Sequence, residues 1–266
     1  MQKPIAIGIR LAFIGVAAAL CTGCPNPNTY GTPRTTPVGK ISHTVAAEGF
    51  RYAVGVPRTT TDAAGNPTTT TVENSATLPN APTYQLRVGV LDSLDIGARI
   101  SNMTSFGADV KWNFIKSDMF DLAIDPGFQV FHIGASSGGT SSSFTEFYGH
   151  APLILGINVA DSVTIVPTVG VTYGLSSAST TSTEADSSAA ASIDGLMFRG
   201  GLGFNFRISP KFAMQPELTY LKFLNGTNDP DISWVIFGLG FNFGALPEYG
   251  KHEEAAPAAA PAAPAQ

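Results

Sequence analysis

The sequence predicts an all-β protein: a transmembrane antiparallel up-and-down β-barrel of about ten strands, with disordered N- and C-terminal tails. Three observations carry this expectation. Apolar and polar residues alternate with period two through ten segments. The links between those segments are by turns tight and long. Only 13% of the 266 residues are charged, about half the ~25% of a soluble domain.

Composition removes the competing classes. With 28 Gly and 19 Pro, 10% aromatic and 44% hydrophobic residues, the chain fits neither collagen, a coiled coil nor a highly charged disordered protein. The only long uninterrupted apolar run, Leu11 to Gly23, is shorter than the ~20 residues a spanning helix needs. A formal charge of −5 argues against nucleic acid as a partner, which wants a basic face.

Taken in order, residues 1–23 read as a signal peptide: Lys3 and Arg10 form a basic region, Leu11 to Leu20 an apolar one, and small residues follow. The exit Cys21-Thr22-Gly23-Cys24 resembles the lipobox of bacterial lipoproteins. That resemblance implies cleavage before Cys24 and its diacylation (a palmitate-type lipid anchor). Leu20 would abut a cut at Cys21 and disfavours acylation there. The alternative is ordinary cleavage after the Ala17-x-Ala19 pattern. Cleavage at Cys24 leaves 13 Lys and Arg against 20 acids and no free thiol for a disulfide, metal site or nucleophile.

Residues 24–44, rich in Pro, Asn and Thr, are expected to be a flexible tether, and 45–243 the barrel. Its strands are expected at 46–56, 84–90, 94–102, 106–114, 119–133, 144–160, 162–175, 195–208, 211–224 and 232–243. Asp92-Ser93, Lys116-Ser117-Asp118, Asp161-Ser162 and Ser209-Pro210 are tight turns, whereas 57–82, 134–143, 176–194 and 225–231 are longer links rich in Ser, Thr, Gly, Asn and Ala. Short turns facing the periplasm and long links facing outward, of which only Ser101 to Thr104 is short, suit an outer-membrane barrel. An even strand number returns the C-terminus to the periplasm.

The faces follow from the alternation. Leu86, Val88, Phe106, Val110 and Trp112 share one side of their strands; Arg87, Arg99, Lys111, Arg199 and Arg207, with Asp95, Asp109, Asp121, Asp125, Glu146 and Glu217, share the other. Alternation alone does not separate a lipid-facing exterior from the core of a lipocalin-like carrier. Nearly uncharged links, bulky aromatics on the apolar faces and too few charges to solvate an outer wall favour lipid outside and the eleven charges inside, where they can pair.

The stretch YQLRVGVLDSLDIGARIS from Tyr84 to Ser101 resembles the strand-turn-strand units of small bacterial outer-membrane β-barrel proteins, and WVIFGLGFNF from Trp234 to Phe243 resembles their closing strand. The resemblance implies an outer-membrane location, contact with outer-membrane lipid and recognition of the closing strand by the barrel-assembly machinery. Here residues 244–266 follow that strand. They end in AAPAAAPAAPAQ, an extended, semi-rigid composition that could reach toward the cell wall or be a passive tail.

A structural or surface-interaction role with a plugged lumen is expected, because barrels of about this size are filled by their own side chains. A narrow porin-like channel is the alternative. An outer-membrane enzyme comes third: His132 and His150 flank 134–143, Glu146 precedes His150 by four residues and Ser141 to Ser143 lie close by, yet no nucleophile motif is present. The remaining histidines, His43 and His252, join no motif. No metal-ligand spacing, phosphate loop or dinucleotide fingerprint occurs, so no cofactor or metal is expected.

Overall fold

The computed structural model describes residues 26–61, 67–101, 104–137, 139–182, 187–224 and 231–247. The signal segment, Cys24, His252 and the Ala/Pro tail lie outside them. In chain order the strands are β1 (Ile41–Thr61), β2 (Pro67–Leu91), β3 (Leu94–Ser101), β4 (Ser105–Lys116), β5 (Phe120–Ile124), β6 (Gly127–Ser137), β7 (Thr140–Ala160), β8 (Val163–Ser182), β9 (Ser187–Ser209), β10 (Phe212–Phe223) and β11 (Asp231–Gly244). Neighbours pair antiparallel, and the sheet closes because β1 pairs with both β2 and β11 while β3 pairs with β4. Closure leaves no edge strand whose backbone groups lipid could not satisfy.

β5 and β6 are two halves of one spanning strand, each lying between β4 and β7. Pro126, which has no N–H to give the ladder, separates them. The break is bridged: Val110 N donates to Pro126 O at 2.9 Å, and Asp125 N donates to Pro152 O at 3.0 Å. The ring therefore has ten spanning strands.

Three of the expected links are in large part strand. β1, β2, β7, β8 and β9 run 20 to 25 residues, far beyond the apolar stretches that signalled them. Ser and Thr read as loop residues by composition, but here they pair across strands: Ser143 Oγ lies 2.9 Å from Ser179 Oγ, and Ser142 Oγ 3.1 Å from Thr180 Oγ1. Such hydroxyl pairs stabilise a ladder in water. The wall is consequently uneven. β3 has only 8 residues and β4 only 12, so the rim dips at their hairpin.

Side chains alternate strictly between ring interior and exterior. Along β3 and β4, Asp95, Arg99, Ser105, Asp109, Lys111 and Asn113 are buried, whereas Ile96, Ile100, Phe106, Val110, Trp112 and Phe114 are exposed. On β7, β8 and β9 the exposed set includes Leu153, Ile157, Val169, Leu202 and Phe204. A soluble barrel would reverse this arrangement. At the tight-turn end, Trp112 and Phe114 pack at 5.5 Å, in keeping with an interfacial aromatic girdle.

Candidate functional site

The interior of the ring is the candidate site, and the residues just before β1 dominate it. Residues 26–36, expected to belong to a flexible tether, instead run through the lumen. Asn26 and Asn28 are 1% and 0% exposed and Tyr30 is 2% exposed, with Thr29, Thr32, Thr35 and Thr36 also buried. The reason is hydrogen bonding. An extended chain carries an unmet donor and acceptor at each residue, and the inward polar side chains of the strands satisfy them.

The path can be followed from the level of the β3–β4 tip to the tight-turn end. At the loop end, Asn26 N donates to Gln129 Oε1 at 2.9 Å, and its carbonyl accepts from Gln129 Nε2 at 2.7 Å and Arg99 Nη1 at 2.6 Å. Its side-chain amide donates to Glu48 and, at 3.4 Å, to Thr83 Oγ1. Thr83 pairs with Ser101, the last residue of β3. Deeper, Thr29 N and Tyr30 N donate to the two oxygens of Glu217 at 2.8 and 2.7 Å. Lys111 Nζ then donates to Thr32 O at 3.1 Å, and Arg34 Nε to Asp121 Oδ2 at 2.9 Å. At the turn end, Thr35 Oγ1 donates to Asp92 O at 2.7 Å and Thr36 N to Asp95 Oδ2 at 2.9 Å. The chain leaves beside Gly89, where an added Cβ would strike the Thr36 and Pro37 carbonyls.

Tyr30 keys the segment to the wall. Its φ of 46° lies in the left-handed region, disfavoured for a bulky residue, and the turn sets its ring against Gly238 and Gly240 of β11. A Cβ at Gly240 would sit 2.8 to 3.0 Å from three Tyr30 atoms, and one at Gly238 would overlap the Tyr30 hydroxyl. Gly238→Ala should lower the free energy of unfolding by about 1–3 kcal/mol through overpacking. Equilibrium urea unfolding of the detergent-solubilised protein measures this; an unchanged midpoint would show that the ring does not occupy the slot.

The sequence-derived inward charges divide into groups. Arg87 is the hub of the first: its guanidinium lies 2.7 Å from Asp95 Oδ1, 2.7 Å from Asp109 Oδ1 and 3.1 Å from Asp125 Oδ1. The Asp109 contact is an ion pair by distance without hydrogen-bond alignment. Lys111 adds a 3.3 Å contact to Asp95 Oδ2. Asp121, Glu217 and Arg99 hold the threaded segment. Glu146 instead accepts from Tyr148 Oη at 2.8 Å and Ser176 Oγ at 2.9 Å. Arg207 lies at the turn-end mouth, where it donates to Pro247 O at 2.5 Å. Arg199 stands apart. It is 1% exposed, and among the described residues its Nε and Nη2 have no hydrogen-bond partner, nor do the hydroxyls of Thr168, Thr172 and Thr219 on the adjoining strands.

Several residues of the site were missed by sequence reasoning: Asn26, Thr29, Tyr30 and Arg34 of the segment, and Glu48 on β1. Glu48 shares its face with Phe50, which sits with Tyr148, Met197, Leu221, Phe223, Ile232 and Ile236 in an apolar layer inside the loop end. His132 and His150 are not brought together. His132 is exposed, with Nδ1 2.8 Å from Thr145 Oγ1, while His150 has the inward phase of Glu146. Ser142 and Ser143 are engaged in the hydroxyl ladder described above.

An apolar exterior around a polar, charged interior, closed without an edge, admits one environment. This is an outer-membrane-type β-barrel. No protein-family model and no curated protein matches the chain. Among solved structures, the chain is similar to the outer membrane protease OmpT of Escherichia coli (9% identity, 79% of this chain and 97% of that one, TM-score 0.48). It is also similar to the translocator domain of the autotransporter NalP of Neisseria meningitidis (14% identity, 90% and 95%, TM-score 0.42). A third is the attachment invasion locus protein Ail of Yersinia pestis (14% identity, 77% and 99%, TM-score 0.30). At these values the likenesses carry no functional argument, and the fold rests on the closed ring and its two faces.

Proposed function

We propose that this barrel sits in a bacterial outer membrane as a closed structure, with a structural or surface-interaction role, its lumen stoppered by its own N-terminal segment. The observation that carries this reading is the continuous hydrogen bonding of residues 26–36 from Gln129 to Asp95. What remains between segment and wall at the turn-end mouth is a cavity of about 50 Å³, room for one or two waters. The Ser- and Thr-rich ladders of β1–β2 and β7–β9 extend past the lipid-facing band and supply an uncharged, hydrogen-bonding surface for contact outside the cell.

Partners follow from the same features. Membrane lipid meets the apolar band. β11 offers alternate Phe237, Leu239, Phe241 and Phe243 to the barrel-assembly machinery, although the chain continues past them. The tail departs from the turn end, where Leu246 is buried, so the segment after Pro247 starts on the side facing the cell wall. A folded barrel of this kind shifts its gel mobility on boiling and stays in solution only with detergent. Solubility in buffer after removal of the signal overturns the membrane reading.

Acylation of Cys24 belongs to this proposal. Radiolabelled fatty acid should appear on the wild-type protein and disappear in Cys24→Ala; label that persists refutes the assignment.

A further inference from the structure

We infer that the exported chain presents its N-terminus on the outer face of the membrane, threaded outward through its own barrel. The inference rests on the orientation proposed above, with tight turns facing the periplasm.

β1 begins at the turn end, so the chain preceding it would ordinarily remain in the periplasm. Residues 36 to 26 do the opposite. Thr36 is bonded to Asp95 and lies 2.8 Å from Ser42 Oγ at the turn end. Asn26 is bonded to Thr83, level with the terminal Ser101–Ser105 pair of the β3–β4 hairpin, and to Gln129, level with the Arg99–Gly107 pair just below it. Between these two points the segment, turning at Tyr30, passes from the Asp95 end of β3 to its Ser101 end, the height of the wall on that side. A return path is blocked, because the lumen beneath Asn26 is filled by Asn28, Thr29, Tyr30 and the side chains that bind them. Whatever precedes Asn26 therefore continues on the loop side.

The uneven wall gives it an exit. The apolar layer inside the loop end is contributed by β1, β7, β9, β10 and β11, whereas on the opposite side the wall stops at Ser101 and Ser105. Ile100 and Phe106, paired at that tip, are half exposed to the exterior. Cys24 is two residues from Asn26, at most about 7 Å of chain. Lipid carried there has only the hairpin tip to cross before meeting the outer leaflet, while the periplasmic leaflet is out of reach unless residues 26–36 withdraw. The β1–β11 seam must also close around a segment already in place.

The test compares three positions of one epitope in the full chain: between Pro25 and Asn26, within 62–66, and after Gln266. Antibody applied to intact cells should bind the first two comparably and lose the third until the outer membrane is permeabilised. An N-terminal epitope that behaves like the Gln266 epitope overturns the inference. If the 62–66 and Gln266 epitopes exchange behaviour, the orientation of the barrel is wrong; threading still stands where the N-terminal epitope follows 62–66 and falls where it does not. Should the insertion block assembly, Pro25→Cys in a Cys24→Ala background gives the same reading with a membrane-impermeant maleimide. Modification on intact cells supports threading, and modification only after permeabilisation overturns it.

Discussion

Deleting residues 26–36 should turn a silent barrel into a conducting one. In the intact protein those residues bond in turn to Gln129, Glu217, Lys111, Asp121 and Asp95, the contacts by which the proposed stopper is held. Without them every strand still contributes a buried polar side chain to the interior, and the apolar layer at the loop end receives no side chain from β2, β3 or β4, so water has a route along that side. The sign of the current also follows. Among the described inward side chains, Arg87, Arg99, Lys111, Arg199 and Arg207 face Glu48, Asp95, Asp109, Asp121, Asp125, Glu146 and Glu217, five bases against seven acids. The opened lumen should favour cations. In planar bilayers the wild type is expected to show no stepwise conductance, and the deletion variant steps whose reversal potential in a salt gradient has the cation-selective sign. Equal conductance from the wild type would establish the porin-like alternative. A silent deletion variant that still shows the heat-dependent gel shift would show that the segment is not what closes the barrel.

The barrel wall was legible because its two faces meet opposite solvents. Along β3 and β4, Asp95, Arg99, Asp109 and Lys111 alternate with Ile96, Ile100, Val110 and Trp112, and with lipid outside there is only one consistent assignment of faces. That contrast fails in the loop-end half of β1, β10 and β11. Phe50, Leu221, Phe223, Ile232 and Ile236 point inward there, so alternation no longer marks the interior and Glu48 went unnoticed. Ladders of Ser and Thr hid strand for a different reason: residues that suit loops also suit β-structure once paired. The threaded segment was the least legible part. Its partners lie far along the chain, up to 188 residues away for Thr29 and Glu217, and an extended strand without neighbours has no period. Its local trace is Gly238 and Gly240, inward positions between the outward Phe237, Leu239 and Phe241.

Two arginines, both buried and a few strands apart, should respond to the same substitution in opposite directions. Arg87→Met removes the cation that holds Asp95, Asp109 and Asp125. Asp95 keeps Lys111 and the Thr36 amide, but the other two lose their only ion-pair contact among the described residues. Breaking a buried ion pair from one side typically costs about 3–5 kcal/mol, because a charge remains without compensation. Arg199 has no ion-pair contact among the described residues; Glu217 and Asp125 attract it only from a distance, and its Nε and Nη2 find no hydrogen-bond partner there, beside three threonine hydroxyls in the same state. The desolvation of its guanidinium is therefore a standing cost. Methionine fills much the same length with no charge to desolvate, so Arg199→Met should raise stability by about 1–3 kcal/mol. Urea unfolding in detergent, followed by the fluorescence of Trp112 and Trp234, separates the two. A loss of similar size in both variants would mean that the attraction of Glu217 and Asp125 outweighs the desolvation of Arg199, and that the lumen is held by one continuous network instead of a paired cluster beside a weakly compensated cation.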